Sequence, residues 1–127
     1  MKKIIKTENA PMPIGPYNQA VMYGNTIYIS GQIPVNPKTG QIENENIKTS
    51  TLQVMKNLEA ILTAANMTFE NVVKTSIFIM DMNDFKEINE VYGQFFNVET
   101  APARETVQVA GLPLGVRVEI SMIAIKD

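Results

Sequence analysis

The spacing of apolar residues changes along the chain and separates helical segments from extended ones. Between Ile47 and Met67 the apolar residues recur every three or four positions, which predicts an amphipathic helix. Asp81 to Asp84 offer caps for a second helix. The stripe of the first helix consists of Leu52, Met55, Leu58, Ile61, Leu62 and Ala65, and that of the second of Phe85, Ile88, Tyr92 and Phe95.

The other apolar runs alternate with polar residues or are rich in β-branched residues, which predicts strands. The predicted strands are 3–7, 18–22, 26–30, 72–80, 105–110 and 116–125. The order is therefore β-β-β-α-β-α-β-β. Because helices and strands do not alternate strictly, we expect an α+β fold with two helices on one face of a mixed sheet. A length of 127 residues is typical of one domain, 1–127.

The last predicted strand is apolar on both of its faces. Val118 and Ile120 lie on one face, and Ile123 and Ile125 lie on the other. A strand of this kind is usually covered on both sides. Because two helices cover only one face of the sheet, we expect another copy of the chain to cover the second face.

Composition restricts the chemistry that the chain can perform. The sequence has no His, Cys or Trp, which excludes an imidazole base, a thiolate nucleophile and a Cys/His metal site. A net charge of −2 without a basic block does not favour nucleic-acid binding. No apolar stretch is long enough to span a membrane, and the lack of cysteine fits a cytoplasmic protein.

Arg104 and Glu119 are the charged residues whose positions suggest chemistry. Arg104 stands at the entry to the fifth strand, where it is either a surface residue or a bidentate ligand for a carboxylate. Glu119 lies between Val118 and Ile120 in an otherwise apolar strand, an unusual place for a carboxylate that only faces solvent. The sequence does not decide between these two roles for Arg104, or between a solvent-facing and a functional role for Glu119.

Five segments in chain order carry a family resemblance. They are Glu8-Asn9-Ala10-Pro11 with Ile14-Gly15-Pro16-Tyr17, Ile29-Ser30-Gly31-Gln32-Ile33-Pro34, Asp84-Phe85 with Asn89 and Tyr92, Pro102-Ala103-Arg104, and Leu112-Pro113 with Val118-Glu119-Ile120. Together they resemble the Rid/YjgF family, also called the L-PSP family, and within it the RidA type of reactive-intermediate deaminase. The resemblance extends over essentially the whole chain.

The resemblance implies a chorismate-mutase-like subunit that assembles as a homotrimer, with ligand sites between subunits. It also implies hydrolysis of 2-enamine and 2-imine acids, such as 2-aminoacrylate and 2-iminobutanoate, to 2-keto acids and ammonia without a cofactor. Arg104 would grip the substrate carboxylate, and Glu119 would position or activate water. The other implied site residues are Tyr17, Ser30, Gly31, Asn89 and the backbone at Thr106.

Two other functions stay open at this point. A pocket of this kind could bind 2-keto acids without catalysis, although the presence of Glu119 favours an enzyme. Some family members are described as ribonucleases or translation inhibitors. The negative charge and the lack of histidine disfavour that function here, because RNA cleavage usually uses imidazole groups and basic phosphate contacts.

Overall fold

A computed structural model describes residues 1–127 and contains six strands and two α-helices. The predicted element order and the α+β class are confirmed. The strands are β1 (Lys2–Ile5), β2 (Ala20–Tyr23), β3 (Thr26–Gln32), β4 (Val72–Ile79), β5 (Ala103–Gln108) and β6 (Val118–Ile125). The helices are α1 (Ile47–Ala64) and α2 (Phe85–Gly93), and single 3₁₀ turns occur at Phe69–Asn71, Met82–Asp84 and Pro113–Gly115. Neither α-helix combines the length and the apolar character that crossing a membrane requires.

The last strand of the chain lies in the middle of the sheet. The strand order is β1-β2-β3-β6-β4-β5, so β6 pairs antiparallel with β3 on one side and β4 on the other. Only β4 and β5 are parallel, and α2 connects them. Val118, Ile120 and Met122 of β6 are buried beneath the helices, because α1 packs on β3, β6 and α2. The sheet is therefore complete only when the final segment has been inserted.

Helix α1 begins where the Asn46 side chain accepts a hydrogen bond of 2.9 Å from the Thr49 backbone N–H. Its buried stripe differs from the predicted one at Leu52, which is only partly buried. Thr51 and Val54 are buried instead, because the stripe follows i, i+3, i+4 spacing from Ile47 and Leu52 falls beside it. The buried residues of α1 are Ile47, Ser50, Thr51, Val54, Met55, Asn57, Leu58, Ile61 and Leu62.

Several predicted boundaries were wrong by a few residues. Helix α1 ends at Ala64 rather than at Met67, and α2 ends at Gly93, so Phe95 packs on the core from the following turn. Strand β6 starts at Val118 rather than two residues earlier, because the 3₁₀ turn at Pro113–Gly115 bends the chain before it. Strand β5 runs from Ala103 to Gln108 rather than over 105–110, and Arg104 is its second residue.

A buried glutamine organises the proline-rich loop that precedes β2. The Gln19 amide nitrogen donates to the carbonyl oxygens of Thr7, Ala10 and Pro11 at 2.9, 3.1 and 2.9 Å. Its amide oxygen accepts from the Thr7 N–H at 2.8 Å. One side chain therefore satisfies backbone groups that the prolines cannot pair within a regular element. Tyr17 follows this loop.

The sheet face opposite the helices carries exposed apolar side chains. Tyr28, Val107 and Ile125 on this open face are 51%, 43% and 39% exposed, and Ile123 is partly buried. The polar residues of this face include an ion pair of 2.8 Å between Lys74 and Glu105. The isolated chain thus leaves apolar surface uncovered where the sequence predicts a second copy.

Replacement of Gln19 by Leu should lower the free energy of unfolding by about 1–3 kcal/mol, because buried backbone groups would lose their partners. Urea unfolding monitored by circular dichroism measures the change. Gln41→Leu is the matched control, because Gln41 is exposed. Equal stability of the two variants would contradict the role given to Gln19.

Candidate functional site

Arg104 lies on the helix-covered face of the edge strand β5. It pairs in register with Thr75 of β4, whose side chain is buried beneath α2. Its Nη1 donates a hydrogen bond of 2.7 Å to Asn89 Oδ1. The guanidinium carbon lies 5.0 Å from the centre of the Tyr92 ring and 5.7 Å from that of Phe85. Helix α2 therefore supplies every side chain that holds the guanidinium.

The two arginines of the chain have different partners. Arg117 Nη2 donates to both carboxylate oxygens of Asp84, at 3.1 and 3.2 Å. Arg104 contacts aromatic faces and one neutral oxygen, and no carboxylate lies within ion-pair distance of it. Its remaining N–H groups are thus available for a negatively charged ligand.

The edge of β5 also presents free backbone groups beside Arg104. The Val109 N–H donates to the Ile79 carbonyl at 2.9 Å, so the backbone groups of the odd-numbered residues of β5 face β4. Because backbone groups alternate along a strand, the N–H and C=O groups of Arg104, Thr106 and Gln108 point away from the sheet. The Thr106 hydroxyl is buried on the helix-covered face without a hydrogen-bond partner. The Thr106 backbone is therefore accessible to a partner or a ligand at this edge.

Glu119 lies on the opposite, open face of the sheet. It pairs in register with Phe78, whereas the neighbouring pair of Ile120 and Ile77 is buried beneath the helices. Burial raises the pKa of the Glu119 carboxyl above its usual value. The side chain is thus more readily protonated than an exposed glutamate, which suits a group that accepts and returns a proton.

A glycine makes room for the Glu119 carboxylate. The register between β3 and β6 shifts between Ile29 and Gln32, and Gly31 lies in this irregular stretch. A Cβ at position 31 would overlap the Glu119 carboxylate oxygen Oε2. The pairing of Gly31 with Glu119 is therefore a steric requirement, and any side chain at position 31 would displace the carboxylate.

Ser30 directly precedes Gly31 in β3, and Tyr17 stands at the end of the proline-rich loop. Ser30 Oγ donates to the Asn18 carbonyl at 2.6 Å, and the Ser30 N–H donates to the Gln19 carbonyl at 2.9 Å. The Ser30 hydroxyl can therefore only accept a hydrogen bond from a ligand. Tyr17 is 53% exposed, and its ring lies 3.8 Å from the point that a Cβ atom would occupy at Gly15.

The structure separates the candidate residues into two groups. Arg104, Asn89 and Thr106 are near the outer edge of β5 on the helix-covered side, whereas Gly31 and Glu119 meet where β3 pairs with β6. Strand β4 lies between β5 and β6. The surface cavities of the chain are lined by neither Arg104 nor Glu119. One copy of the chain does not bring the two groups together.

The sequence assigned Phe85 and Tyr92 to the apolar stripe of the second helix and did not identify their contact with Arg104. Phe85, Asn89 and Tyr92 are spaced i, i+4, i+7, so they form one stripe of α2. The alternation of β5 places Arg104 on the face that this stripe covers. An asparagine within an aromatic stripe next to a strand arginine was the signal that could have identified the contact.

Comparison with known proteins places the chain in a family. The family model described as "Endoribonuclease L-PSP" matches residues 7–126. The chain belongs to the L-PSP family, also known as the YjgF, RutC or Rid family. The L-PSP model therefore covers both groups of candidate residues.

Several L-PSP family relatives match over nearly their full length. A RutC family protein of Pyrococcus horikoshii is 50% identical over 100% of both chains. The human 2-iminobutanoate/2-iminopropanoate deaminase is 46% identical over 99% of this chain and 91% of its own. Among solved structures, Escherichia coli TdcF with bound serine has a TM-score of 0.93 at 45% identity, with 98% of this chain and 99% of TdcF covered.

The pH dependence of stability should distinguish two glutamates of the open face. The pKa of Glu119 is raised in the folded protein, so ionisation of this carboxyl lowers the free energy of unfolding as the pH rises through the folded-state pKa. Glu119→Gln should therefore gain stability relative to the parent between about pH 3.5 and about pH 7. Glu105 is the matched control, because Lys74 and Ser76 lower its pKa. Glu105→Gln should lose relative stability over the same range.

Urea unfolding of the parent and both variants at the two pH values measures these differences. The account predicts opposite signs for the two changes. A Glu119→Gln variant that became relatively less stable as the pH rose would show that Glu119 is held as an anion in the folded protein.

Proposed function

We propose that this protein hydrolyses small 2-imino acids to 2-keto acids and ammonia, with 2-iminopropanoate, formed from 2-aminoacrylate, and 2-iminobutanoate as substrates. The human and mouse relatives named 2-iminobutanoate/2-iminopropanoate deaminase, 46% and 48% identical, support this activity. The TdcF structure holds serine, which is also a small molecule with a carboxylate and a nitrogen on the adjacent carbon.

The observation that carries the proposal is the state of Arg104. Its guanidinium is charged, held in place by α2 and free of any carboxylate of its own chain. A planar guanidinium in this state binds a substrate carboxylate through two parallel hydrogen bonds, which fixes the position and the orientation of the ligand. Arg104 therefore supports a ligand that carries a carboxylate.

Hydrolysis of the bound imine needs a water molecule and a group that moves protons. The water oxygen bonds to the carbon of the protonated imine and gives up one proton, which leaves a neutral carbinolamine. The carbinolamine nitrogen then takes up a proton, the C–N bond breaks, ammonia leaves with its electron pair, and the hydroxyl proton passes through the active-site carboxylate to ammonia as the C=O bond forms. Glu119, with its raised pKa, accepts the proton from water and returns it to the departing nitrogen.

Arg104 and Glu119 would meet in a cleft between two copies of the chain. We propose a homotrimer of chorismate-mutase-like subunits in which the open face of each sheet is covered by neighbouring copies. The exposed Tyr28, Val107 and Ile125 side chains and the free edge of β5 support this assembly. Tyr17, Ser30 and Gly31 would line the Glu119 side of the cleft, and Asn89 and the Thr106 N–H would line the Arg104 side.

Two other functions have less support. A protein that only binds 2-keto acids would use Arg104 in the same way but has no need for a partly buried carboxylate beside Gly31. RNA cleavage, which the name of the family model suggests, would have to proceed without histidine and against a net charge of −2. We further propose that the protein acts in the cytoplasm, where dehydratases release these imines.

Replacement of Arg104 by Lys should lower kcat/KM for imine hydrolysis by about 30-fold to 1,000-fold, because a point charge replaces the planar fork in a partly buried site. The rate of keto-acid release is measured with a serine/threonine dehydratase that generates the imine. Arg117→Lys is the control, since Arg117 is already paired with Asp84, and should keep the parent rate. Near-normal hydrolysis by Arg104→Lys would refute the carboxylate clamp.

A further inference from the structure

We infer that Tyr92 is a positioning residue whose ring, anchored to Thr75, sets the orientation of the Arg104 guanidinium. This inference rests on the proposed function, in which Arg104 binds the substrate carboxylate. Asn89 holds one end of the guanidinium through a single hydrogen bond of 2.7 Å. A single hydrogen bond allows the guanidinium plane to rotate about it, so a second contact must fix that plane.

The ring of Tyr92 provides the nearer of two aromatic contacts, since the Phe85 ring lies 5.7 Å from the guanidinium carbon. The guanidinium carbon of Arg104 lies over this ring at 5.0 Å from its centre, within the range in which a cation is attracted to an aromatic face. The attraction holds the guanidinium next to this ring. Asn89 accepts one hydrogen bond from Nη1 and no carboxylate of the chain contacts the guanidinium, so its other N–H groups are free to bind a ligand carboxylate.

The Tyr92 ring is itself held in a fixed position. Tyr92 is buried, and its hydroxyl donates a hydrogen bond of 3.1 Å to the Thr75 hydroxyl, which is fully buried. Thr75 is the residue of β4 that pairs in register with Arg104 of β5. The sheet thus anchors both the arginine and, through Thr75, the aromatic ring that supports it.

A guanidinium that is fixed before the ligand binds reduces the conformational entropy lost on binding. A free arginine side chain has several rotatable bonds, and a ligand that orders it loses binding free energy to the lost rotamer freedom. An arginine already held by Asn89 and Tyr92 avoids most of that loss. The benefit is specific for ligands with a carboxylate, because a neutral ligand does not use the bidentate contact.

The test compares binding of 2-oxobutanoate with binding of 2-oxobutanamide, its uncharged analogue, by calorimetry. Tyr92→Leu should reduce the ratio of the two affinities by about 10-fold, because the aromatic face is lost. Tyr92→Phe keeps the ring but not the bond to Thr75, and should reduce the ratio by about 3-fold. Tyr23→Leu, the same change at an exposed tyrosine, should leave the ratio unchanged.

A purely structural Tyr92 would weaken both ligands equally and leave the ratio unchanged in Tyr92→Leu, which would overturn the inference. If Tyr92→Leu does not fold, Thr75→Val and Tyr92→Phe decide the question, because both keep the ring and remove its anchor. An unchanged ratio in both of these variants would likewise overturn it.

A measurement without ligand separates this inference from the proposed function. In ¹H–¹⁵N NMR spectra the Arg104 side-chain N–H signal should be displaced by the ring currents of Tyr92 and Phe85, and Tyr92→Leu should remove the larger part of the displacement. A parent protein that prefers neither ligand but shows this displacement would refute the proposed function and keep the positioning role. A parent protein without the displacement would refute the positioning role, whatever its ligand preference.

Discussion

The alternation of side chains along a β-strand is the constraint on which this structure depends. Strand β6 lies between β3 and β4, so one set of its residues forms the core beneath the helices and the other set, which includes Glu119, faces away from them. The same alternation in β5 turns Arg104 towards the helices. A single sheet therefore places the two charged candidate residues, Arg104 and Glu119, on opposite faces. An active site that uses both must involve more than one copy of the chain.

The chemistry proposed here suits a chain without histidine or cysteine. An imine carbon is electrophilic on its own, so the protein has to hold the acid, place water and move protons, and it needs no covalent nucleophile. Arg104 and Glu119 can perform these tasks because their surroundings differ. Aromatic rings and an amide leave the charge of Arg104 uncompensated, whereas partial burial beside Gly31 raises the pKa of Glu119. The contacts on each face of the sheet therefore determine the properties of the charged side chain that lies there.

The element order and the fold class could be predicted because the pattern of apolar residues changes clearly along the chain. Apolar residues recur about every 3.6 positions at 47–67, whereas the run at 72–80 has the pattern of a strand. The same alternation accounts for Glu105, which lies on the face opposite Arg104 and pairs with Lys74. The sequence pattern did not identify Thr51 and Val54 as buried in place of Leu52, because Thr51 is polar and the buried stripe is set by spacing from Ile47. The contact of Tyr92 with Arg104 was equally hidden, because it depends on how α2 packs across β4 and β5.

Mixed oligomers test the central claim that the site is assembled from two copies. Arg104→Ala and Glu119→Gln chains, each inactive alone, are unfolded together, refolded and checked by light scattering for three times the mass of the 14.1 kDa chain. Random assembly would leave about one quarter of the clefts with both native side chains, the product of one half for each residue. The account predicts recovery of about a quarter of the parent activity per site. Mixed trimers that show no recovery would contradict it, since sites confined to one chain could never contain both residues.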